Sequence, residues 1–177
     1  MKPALAYGLV AAVCMSAWVL AEYALGLHST QIGIGRYTSA GTDVILFLTL
    51  WRLLHVHLRD TDRPALPWGE GLLHGLVGGL VATMGFYVFL SVYLNFIHPD
   101  YPYVQLEWLV ARQREAGIPE AEIRAMARRY LWRMGPVGLP VTIFSLHLAL
   151  AALASPILTG WVNWRRQTAV GRTWTRP

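Results

Sequence analysis

The chain has 177 residues and a formal net charge of +5, and 55% of its residues are hydrophobic while only 14% are charged. This balance excludes an ordinary soluble domain, in which about a quarter of the residues are charged. Nucleic-acid binding is also a poor explanation of the charge, because the basic residues flank apolar runs and form no single patch. Arginines beside apolar runs are typical of contacts with anionic lipid headgroups.

Four long apolar runs occupy more than half of the chain. They extend over about residues 4–27, 42–58, 68–97 and 137–161. Because a helix needs about 20 apolar residues to cross the hydrocarbon core of a bilayer, each run is predicted to be a membrane span. We therefore expect an all-α integral membrane four-helix bundle that forms one domain over residues 1–177.

A glycine-rich segment joins the first two spans. Gly26 closes the first span, and Gly33, Gly35 and Gly41 follow before the second span is established. Glycine clusters between apolar runs are typical of turns, so we predict a turn here. The connector after the second span, residues 59–67, is polar and interrupted by proline, which predicts a loop outside the hydrocarbon.

The third span carries a stripe of glycines, formed by Gly71, Gly75, Gly78 and Gly79. A spacing of four residues places most of them on one helix face. Such a face lets another helix approach backbone to backbone, as small residues do in membrane proteins. Two interpretations are open: the stripe packs within this four-helix bundle, or it contacts another subunit.

Residues 99–136 form a long segment outside the spans, and it is predicted to contain an amphipathic pair of helices. Pro102 begins the first helix, which extends to about Glu115, and Gly117 breaks it. Pro119 begins the second helix, with acidic residues in its first turn. Helices with one apolar and one charged face are expected to lie on the membrane surface or on a partner.

The basic residues favour one orientation in the membrane. With four spans, the N-terminus, the loop after the second span and the C-terminus lie on the same side. Basic residues are divided almost evenly between the two sides, but the long 99–136 segment also contains acidic residues, whereas the C-terminal tail has none. The tail arginines are Arg165, Arg166, Arg172 and Arg176. Since cytoplasmic loops are enriched in basic residues, we predict that the N- and C-termini are cytoplasmic.

Two segments of the chain resemble a known family. The segment Tyr93–Tyr101, YLNFIHPDY, closes the third span, and Gly117–Ile123, GIPEAEI, leads into the second amphipathic helix. Together with the four spans they resemble a family of small bacterial membrane proteins designated domain of unknown function 4199. That family has no established activity. The resemblance therefore implies the four-span topology and a bacterial cytoplasmic (inner) membrane, and it implies no site.

His147 and His74 are candidate cofactor-binding residues. His147 lies near the middle of the fourth span, and His74 lies on the glycine side of the third. Ionisable side chains at membrane depth are costly and often functional, and a neutral imidazole can ligate the metal of haem or chlorophyll, or relay protons. The alternative is a neutral histidine that is hydrogen-bonded to Ser145, Thr142 or a neighbouring helix.

The remaining polar residues predict no metal site and no catalytic residues. His55 and His57 are two residues apart and point to different sides of a helix, which is the wrong geometry for one metal ion. Arg52 is placed either to pair with Glu70 across neighbouring helix ends or to reach lipid headgroups. Because the chain has no Gly-rich phosphate loop, nucleophile elbow, HExxH or CxxC motif, we predict that it is not an enzyme.

The leading prediction is an accessory or structural subunit that packs against a larger membrane complex, such as an energy-transducing, respiratory or photosynthetic one. Its expected partners are the lipid bilayer and other membrane protein subunits, and not nucleic acid. One alternative is the protomer of an oligomeric small-solute or ion transporter that uses Glu22 and Asp43, both near span ends. The other is a haem- or chlorophyll-binding subunit that uses His147 or His74.

Overall fold

The structure, a computed structural model, describes residues 1–61 and 63–173, and of residues 169–173 it describes only the backbone. The described chain is all-α, without strands. Its helices are α1 (Lys2–Ala24), α2 (Ile32–Thr38), α3 (Gly41–Asp60), α4 (Trp68–Val92), α5 (Tyr101–Glu115), α6 (Glu120–Met134) and α7 (Gly138–Thr173), and the π-helical turn Tyr93–Ile97 extends α4. Of the tail arginines, Arg176 and the side chain of Arg172 lie outside the described residues.

Four segments are long and apolar enough to cross a membrane: Lys2–Ala24, Ile32–Asp60, Trp68–Ile97 and Gly138–Thr168. Large apolar side chains also cover the outside of these helices. Val13 and Leu153, for example, are each 68% exposed, which in a bilayer places them against acyl chains that are as apolar as they are. The prediction of an all-α protein with four candidate spans is confirmed.

The four long helices form a closed bundle. Both α1 and α7 pack against α3 and against α4. Leu46, Leu50, Leu53 and Leu54 lie on one face of α3 and are almost completely buried in the core. Their spacing of three and four residues is what brings them to one helix face. α3 therefore contributes a row of buried leucines, and α1, α4 and α7 all pack against this helix.

The glycine stripe of α4 faces α7 of the same chain. A Cβ atom at Gly75 would collide with Ser155, one at Gly71 with Thr159, and one at Gly79 with Ala151. The remaining glycine of the stripe, Gly78, is turned towards α1 and α3, where a Cβ would lie 2.9 Å from Leu53 Cδ2 and 3.5 Å from the carbonyl oxygen of Ala4. The structure thus places the stripe inside the bundle, which is the first of the two interpretations.

The glycine-rich segment after α1 is more regular than expected. Gly26 does form a turn, with φ at +73°, but Gly33 and Gly35 lie within the short helix α2. A Cβ at Gly35 would collide with the carbonyl group of Leu27, so glycine serves here as a contact surface. The prediction of a turn over Gly33, Gly35 and Gly41 was therefore wrong, since Gly41 also lies in a helix, as the first residue of α3. Close packing and a turn select the same residue type.

The helical pair α5 and α6 occupies the segment predicted for it. The two helices are joined at Gly117, whose φ of +74° only glycine adopts without strain. Arg114 Nε donates a hydrogen bond to Glu120 Oε1 at 2.6 Å across this turn. That bond holds the pKa of Glu120 below its usual range. The main contact between this helical pair and the spans is the packing of α6 against α7.

Asn163 of α7 fastens the connector between α3 and α4. Its side-chain oxygen accepts a hydrogen bond from the N–H of Leu66 at 2.7 Å, and its side-chain N–H donates to the carbonyl of Leu66 at 2.9 Å. Because Asn163→Ala leaves both backbone groups without these partners, we expect it to lower the free energy of unfolding by about 1–3 kcal/mol. Thermal unfolding in detergent measures this loss.

Asn95→Ala is the matched control for that substitution. Asn95 is exposed, and its amide donates only to Ser91 of the same helical segment, at 2.7 Å. Its removal is expected to change the melting temperature little. Equal melting temperatures for the two variants would contradict the role assigned to Asn163.

Candidate functional site

The two histidines singled out in the sequence lie at different levels of the bundle. His147 on α7 is 2% exposed. Its Nε2 lies 3.0 Å from Asp43 Oδ1 and 3.5 Å from the hydroxyl oxygen of Thr42, both at the start of α3. Its hydrogen-bonding partners therefore come from a neighbouring helix, while Ser145 donates to the carbonyl of Val141 instead.

His74 on α4 is also buried, at 6% exposure. Its Nδ1 lies 2.9 Å from the carbonyl oxygen of Glu70, one turn earlier, and its Nε2 lies 3.5 Å from the Met1 nitrogen. Both His147 and His74 are enclosed between helices, so a planar macrocycle would reach them only if the bundle separated. Haem or chlorophyll binding by these residues stays a prediction, which an absorption spectrum of the purified protein tests.

Glu22 belongs to a buried polar network that also contains His28 and Tyr93. It lies in the last turn of α1 and is 3% exposed. The left-handed turn at Gly26 brings the chain back, so that the Nε2 atom of His28, itself 5% exposed, lies 3.3 Å from Glu22 Oε2. The other carboxylate oxygen, Oε1, is buried and has no hydrogen-bond partner. Such a half-satisfied buried carboxylate is costly in the absence of a ligand.

Tyr93 continues the network from the end of α4. Its hydroxyl lies 2.6 Å from His28 Nδ1. The assignment that uses each atom once has the Tyr93 hydroxyl donating to Nδ1 and the Nε2–H group donating to Glu22. The π-helical turn that begins at Tyr93 is closed by a bond from the His98 N–H to the Tyr93 carbonyl at 2.8 Å. Turns of this kind occur often at functional sites.

Aromatic rings surround this network. The ring of Tyr101 lies 4.7 Å from that of His28 and 6.1 Å from that of Tyr93, and Tyr23 meets Tyr93 edge-on at 5.9 Å. Burial raises the pKa of the Tyr101 phenol well above its usual range. The Tyr101 hydroxyl accepts a hydrogen bond from the side chain of Gln105 at 2.6 Å.

A cavity of about 240 Å³ opens beside Glu22, and we call it the Glu22 cavity. Its walls combine two carboxylates with aromatic and aliphatic side chains from five helices (α1, α3, α4 with its π-helical turn, α5 and α7), from the loop after α1 and from the short link before α3. The residues that matter for its chemistry are Glu22, His28, Asp43, Phe86, Tyr93 and Tyr101. This combination of a mostly apolar cavity with a few convergent polar groups is typical of small-molecule sites.

Glu22 lies near the end of its span, as expected, and it is buried in the bundle. The pairing of Arg52 with Glu70, one of the two placements expected for Arg52, needs correction. Glu70 does not pair with Arg52, which is exposed. Instead, Glu70 accepts hydrogen bonds from His57 at 2.8 Å and from Arg63 at 2.7 Å. The connector folds back over the start of α4, and this brings Arg63, and not Arg52, within hydrogen-bonding distance of the Glu70 carboxylate.

Sequence reasoning did not single out His28, Tyr93 or Tyr101 as functional residues. His28 lies in the segment that was expected to be a turn, and the two tyrosines appeared only as the ends of the Tyr93–Tyr101 segment. One signal was present: an ionisable residue only two positions after a turn glycine can fold back onto the span that precedes it. Tyr93 lies 65 residues from His28 in the chain, and no local pattern joins them.

Residues 6–160 match the model of a family described as "Protein of unknown function (DUF4199)". The chain belongs to this family. The match includes every residue of the Glu22 cavity, together with His74 and His147. It confirms the resemblance to this family, and the Tyr93–Tyr101 and Gly117–Ile123 segments lie within the matched range. No curated protein and no solved structure matches the chain.

Proposed function

We propose that the protein binds a compact organic cation in the Glu22 cavity and functions as a small-solute transport protein of the bacterial cytoplasmic membrane. The four candidate spans support the membrane location. The proposal adopts the transporter alternative and assigns no catalytic reaction. It also keeps the predicted orientation, in which cytoplasmic termini place the cavity near the opposite face of the membrane.

The observation that carries the proposal is the buried, half-satisfied carboxylate of Glu22. Its Oε2 faces His28, while Oε1 is buried without a partner beside a cavity. A cationic ligand would supply the missing partner and would be held strongly, because charges attract more in a low-dielectric interior than in water. Asp43, which lines the same cavity, adds a second negative charge and disfavours anions.

Aromatic walls narrow the ligand class to a cation with an apolar surface. The side chains of Tyr93, Tyr101 and Phe86 line the cavity, and the faces of aromatic rings attract ammonium groups whose charge is spread over methyl or methylene carbons. A metal ion, by contrast, requires several oxygen or nitrogen ligands and gains little from aromatic rings. The mixture of rings and carboxylates therefore favours an amine or quaternary ammonium compound.

Calorimetric titration of detergent-purified protein tests the proposal. Choline, tetramethylammonium and tetraethylammonium are the probes, and 3,3-dimethylbutanol is the neutral counterpart of choline. We expect saturable binding of at least one cation and none of the neutral alcohol, because only the cations complement Glu22. Protein reconstituted into vesicles is then expected to take up the bound cation. Equal binding of choline and its neutral counterpart, or no saturable binding across the series, would refute the proposal.

The accessory-subunit hypothesis keeps one observation in its favour. Trp132 on α6 is 82% exposed, and Val137 at the junction with α7 is 76% exposed, so an apolar surface lies beside the spans where another subunit could pack. The glycine stripe no longer supports it, because Gly71, Gly75 and Gly79 face α7 of the same chain. Elution as a monodisperse monomer in every mild detergent tried would remove this hypothesis.

A further inference from the structure

A second polar cluster lies at the other end of the bundle, and we call it the His57 cluster. It consists of His57 near the end of α3, and Glu70 and His74 near the start of α4. His74 and Tyr93 are separated by roughly 28 Å along α4, given the rise of about 1.5 Å per helical residue. The cluster is therefore separate from the Glu22 cavity, and its chemistry does not depend on the proposed function.

The three side chains each offer a ligand atom to one small volume. His57 Nε2 lies 2.8 Å from Glu70 Oε1, and the rings of His57 and His74 stack with their centroids 4.0 Å apart. Taking one nitrogen or oxygen from each residue, the three ligand atoms all lie within 4.8 Å of one another. Small rotations of the side chains bring such atoms to the separations found around a metal ion bound at about 2.0–2.2 Å.

Neighbouring groups orient two of these ligands. His74 Nδ1 lies 2.9 Å from the backbone carbonyl of Glu70, so this nitrogen carries the proton and Nε2 keeps its lone pair, which faces the Met1 nitrogen at 3.5 Å and has to be released from it when a metal ion binds. Arg63 donates from Nη1 to Glu70 Oε2 at 2.7 Å, which leaves Oε1 on the side of the histidines. A hydrogen bond from the second ring nitrogen to a carbonyl, and a partner that holds the carboxylate, are typical supports of metal ligands.

The three residues of the cluster differ in solvent exposure, and this difference is compatible with an ion that enters from water. His74 is 6% exposed, whereas the side chains of His57 and Glu70 are 14% and 27% exposed. The deepest ligand is thus shielded from solvent, and the carboxylate remains accessible from the membrane surface. The connector that contains Arg63 lies over the same end of the bundle.

We propose that His57, Glu70 and His74 bind one divalent first-row transition-metal ion, with Zn²⁺ as the best match. Two imidazoles and one carboxylate are a ligand set that Zn²⁺ accepts, and three protein ligands leave a fourth position for water. Mg²⁺ and Ca²⁺ are disfavoured because they prefer oxygen ligands. Because a metal ion lies in the plane of each imidazole that binds it, one of the two stacked rings turns about χ2 when the ion enters. The hydrogen bond from His57 Nε2–H to Glu70 Oε1 is broken at the same time, because each ligand atom must present a free lone pair to the ion. The ion then ties the end of α3 to the start of α4.

Tag-free protein in detergent, titrated with Zn²⁺ and separately with Co²⁺, tests the proposal. We expect one Zn²⁺ per chain, visible ligand-field absorption with Co²⁺, and a rise in melting temperature of roughly 5–10 °C at about 100 times the Kd. His57→Gln, Glu70→Gln and His74→Gln are each expected to weaken Zn²⁺ binding at least about 10-fold, since each removes one of three ligands. His74→Cys is expected to restore binding, because thiolate is a good Zn²⁺ ligand.

His55→Gln is the matched control, since His55 lies two residues away on the same helix and stacks on Trp51 with a centroid distance of 5.9 Å. It is expected to leave Zn²⁺ binding unchanged. Circular dichroism and elution volume show that each variant is folded before its affinity is interpreted. Zn²⁺ binding that survives all three glutamine substitutions, or that His55→Gln reduces equally, would overturn the proposal, as would a stoichiometry near zero for the unmodified chain.

Discussion

Gly75→Leu is expected to destroy the packing of α4 against α7. Even a single Cβ atom at this position would collide with the side chain of Ser155, and leucine adds three further carbons. Ser155 cannot give way easily, because it is fully buried and its hydroxyl donates to the carbonyl of Ala151 at 2.5 Å. We expect a destabilisation of roughly 3 kcal/mol or more, the upper end for overpacked cores. Fluorescence-detected size exclusion and thermal unfolding in detergent measure it.

Gly69→Leu is the control for this change. Gly69 lies on the same helix, but a Cβ atom there would have no heavy atom within 4 Å. Glycine is also a poor helix former, so its replacement near the helix start carries little cost. We expect this variant to elute and melt like the unmodified protein. If Gly75→Leu behaves in the same way, the placement of the stripe against α7 is wrong.

Glu22→Gln is expected to weaken cation binding strongly while the protein remains folded. Glutamine has nearly the same shape, and its side-chain oxygen can still accept the hydrogen bond from His28, but it carries no negative charge. Removing one member of a buried charge pair costs about 2–5 kcal/mol of binding free energy. The Kd for the tightest-binding cation should therefore rise at least about 30-fold, as measured by the same calorimetric titration.

Glu107→Gln is the control for that experiment, because Glu107 is an exposed carboxylate on α5. It removes the same charge from the chain without touching the cavity. The affinity for the cation should then stay within about 3-fold of the original, since surface charge acts only weakly through screening. An unchanged Kd in Glu22→Gln would show that the cation binds elsewhere and would remove the observation that carries the proposed function. The Zn²⁺ experiment would be unaffected by that result.

Helix positions were largely predictable because their signals are local. The third span was expected over residues 68–97, and α4 with its π-helical turn extends from Trp68 to Ile97. Hydropathy identifies such a segment without reference to the rest of the chain. Boundaries shifted where packing decided them: α2 formed in a segment expected to be a turn, because Gly35 there lies against the backbone of Leu27.

The candidate sites were predictable only in part. His147 and His74 stood out because each is an ionisable residue inside an apolar run. Their partners did not, since His147 meets Asp43 across two different spans and His74 meets His57 across a connector. His55 and His57 point to different sides of one helix, which is why the sequence predicted no shared metal site for them. The structure groups His57 with residues of the next helix instead.

Hydrophobic periodicity and length by themselves determined that this protein is all-α, that four of its segments are long and apolar enough to cross a membrane, and that glycines form a packing face on the third of them. These properties depend on neighbours within a few turns of helix. The tertiary structure alone decided that His28 meets Tyr93, 65 residues away, and that Thr42 meets His147, 105 residues away. Side chains so far apart in the chain share a site only because the closed bundle brings the ends of different helices to one level.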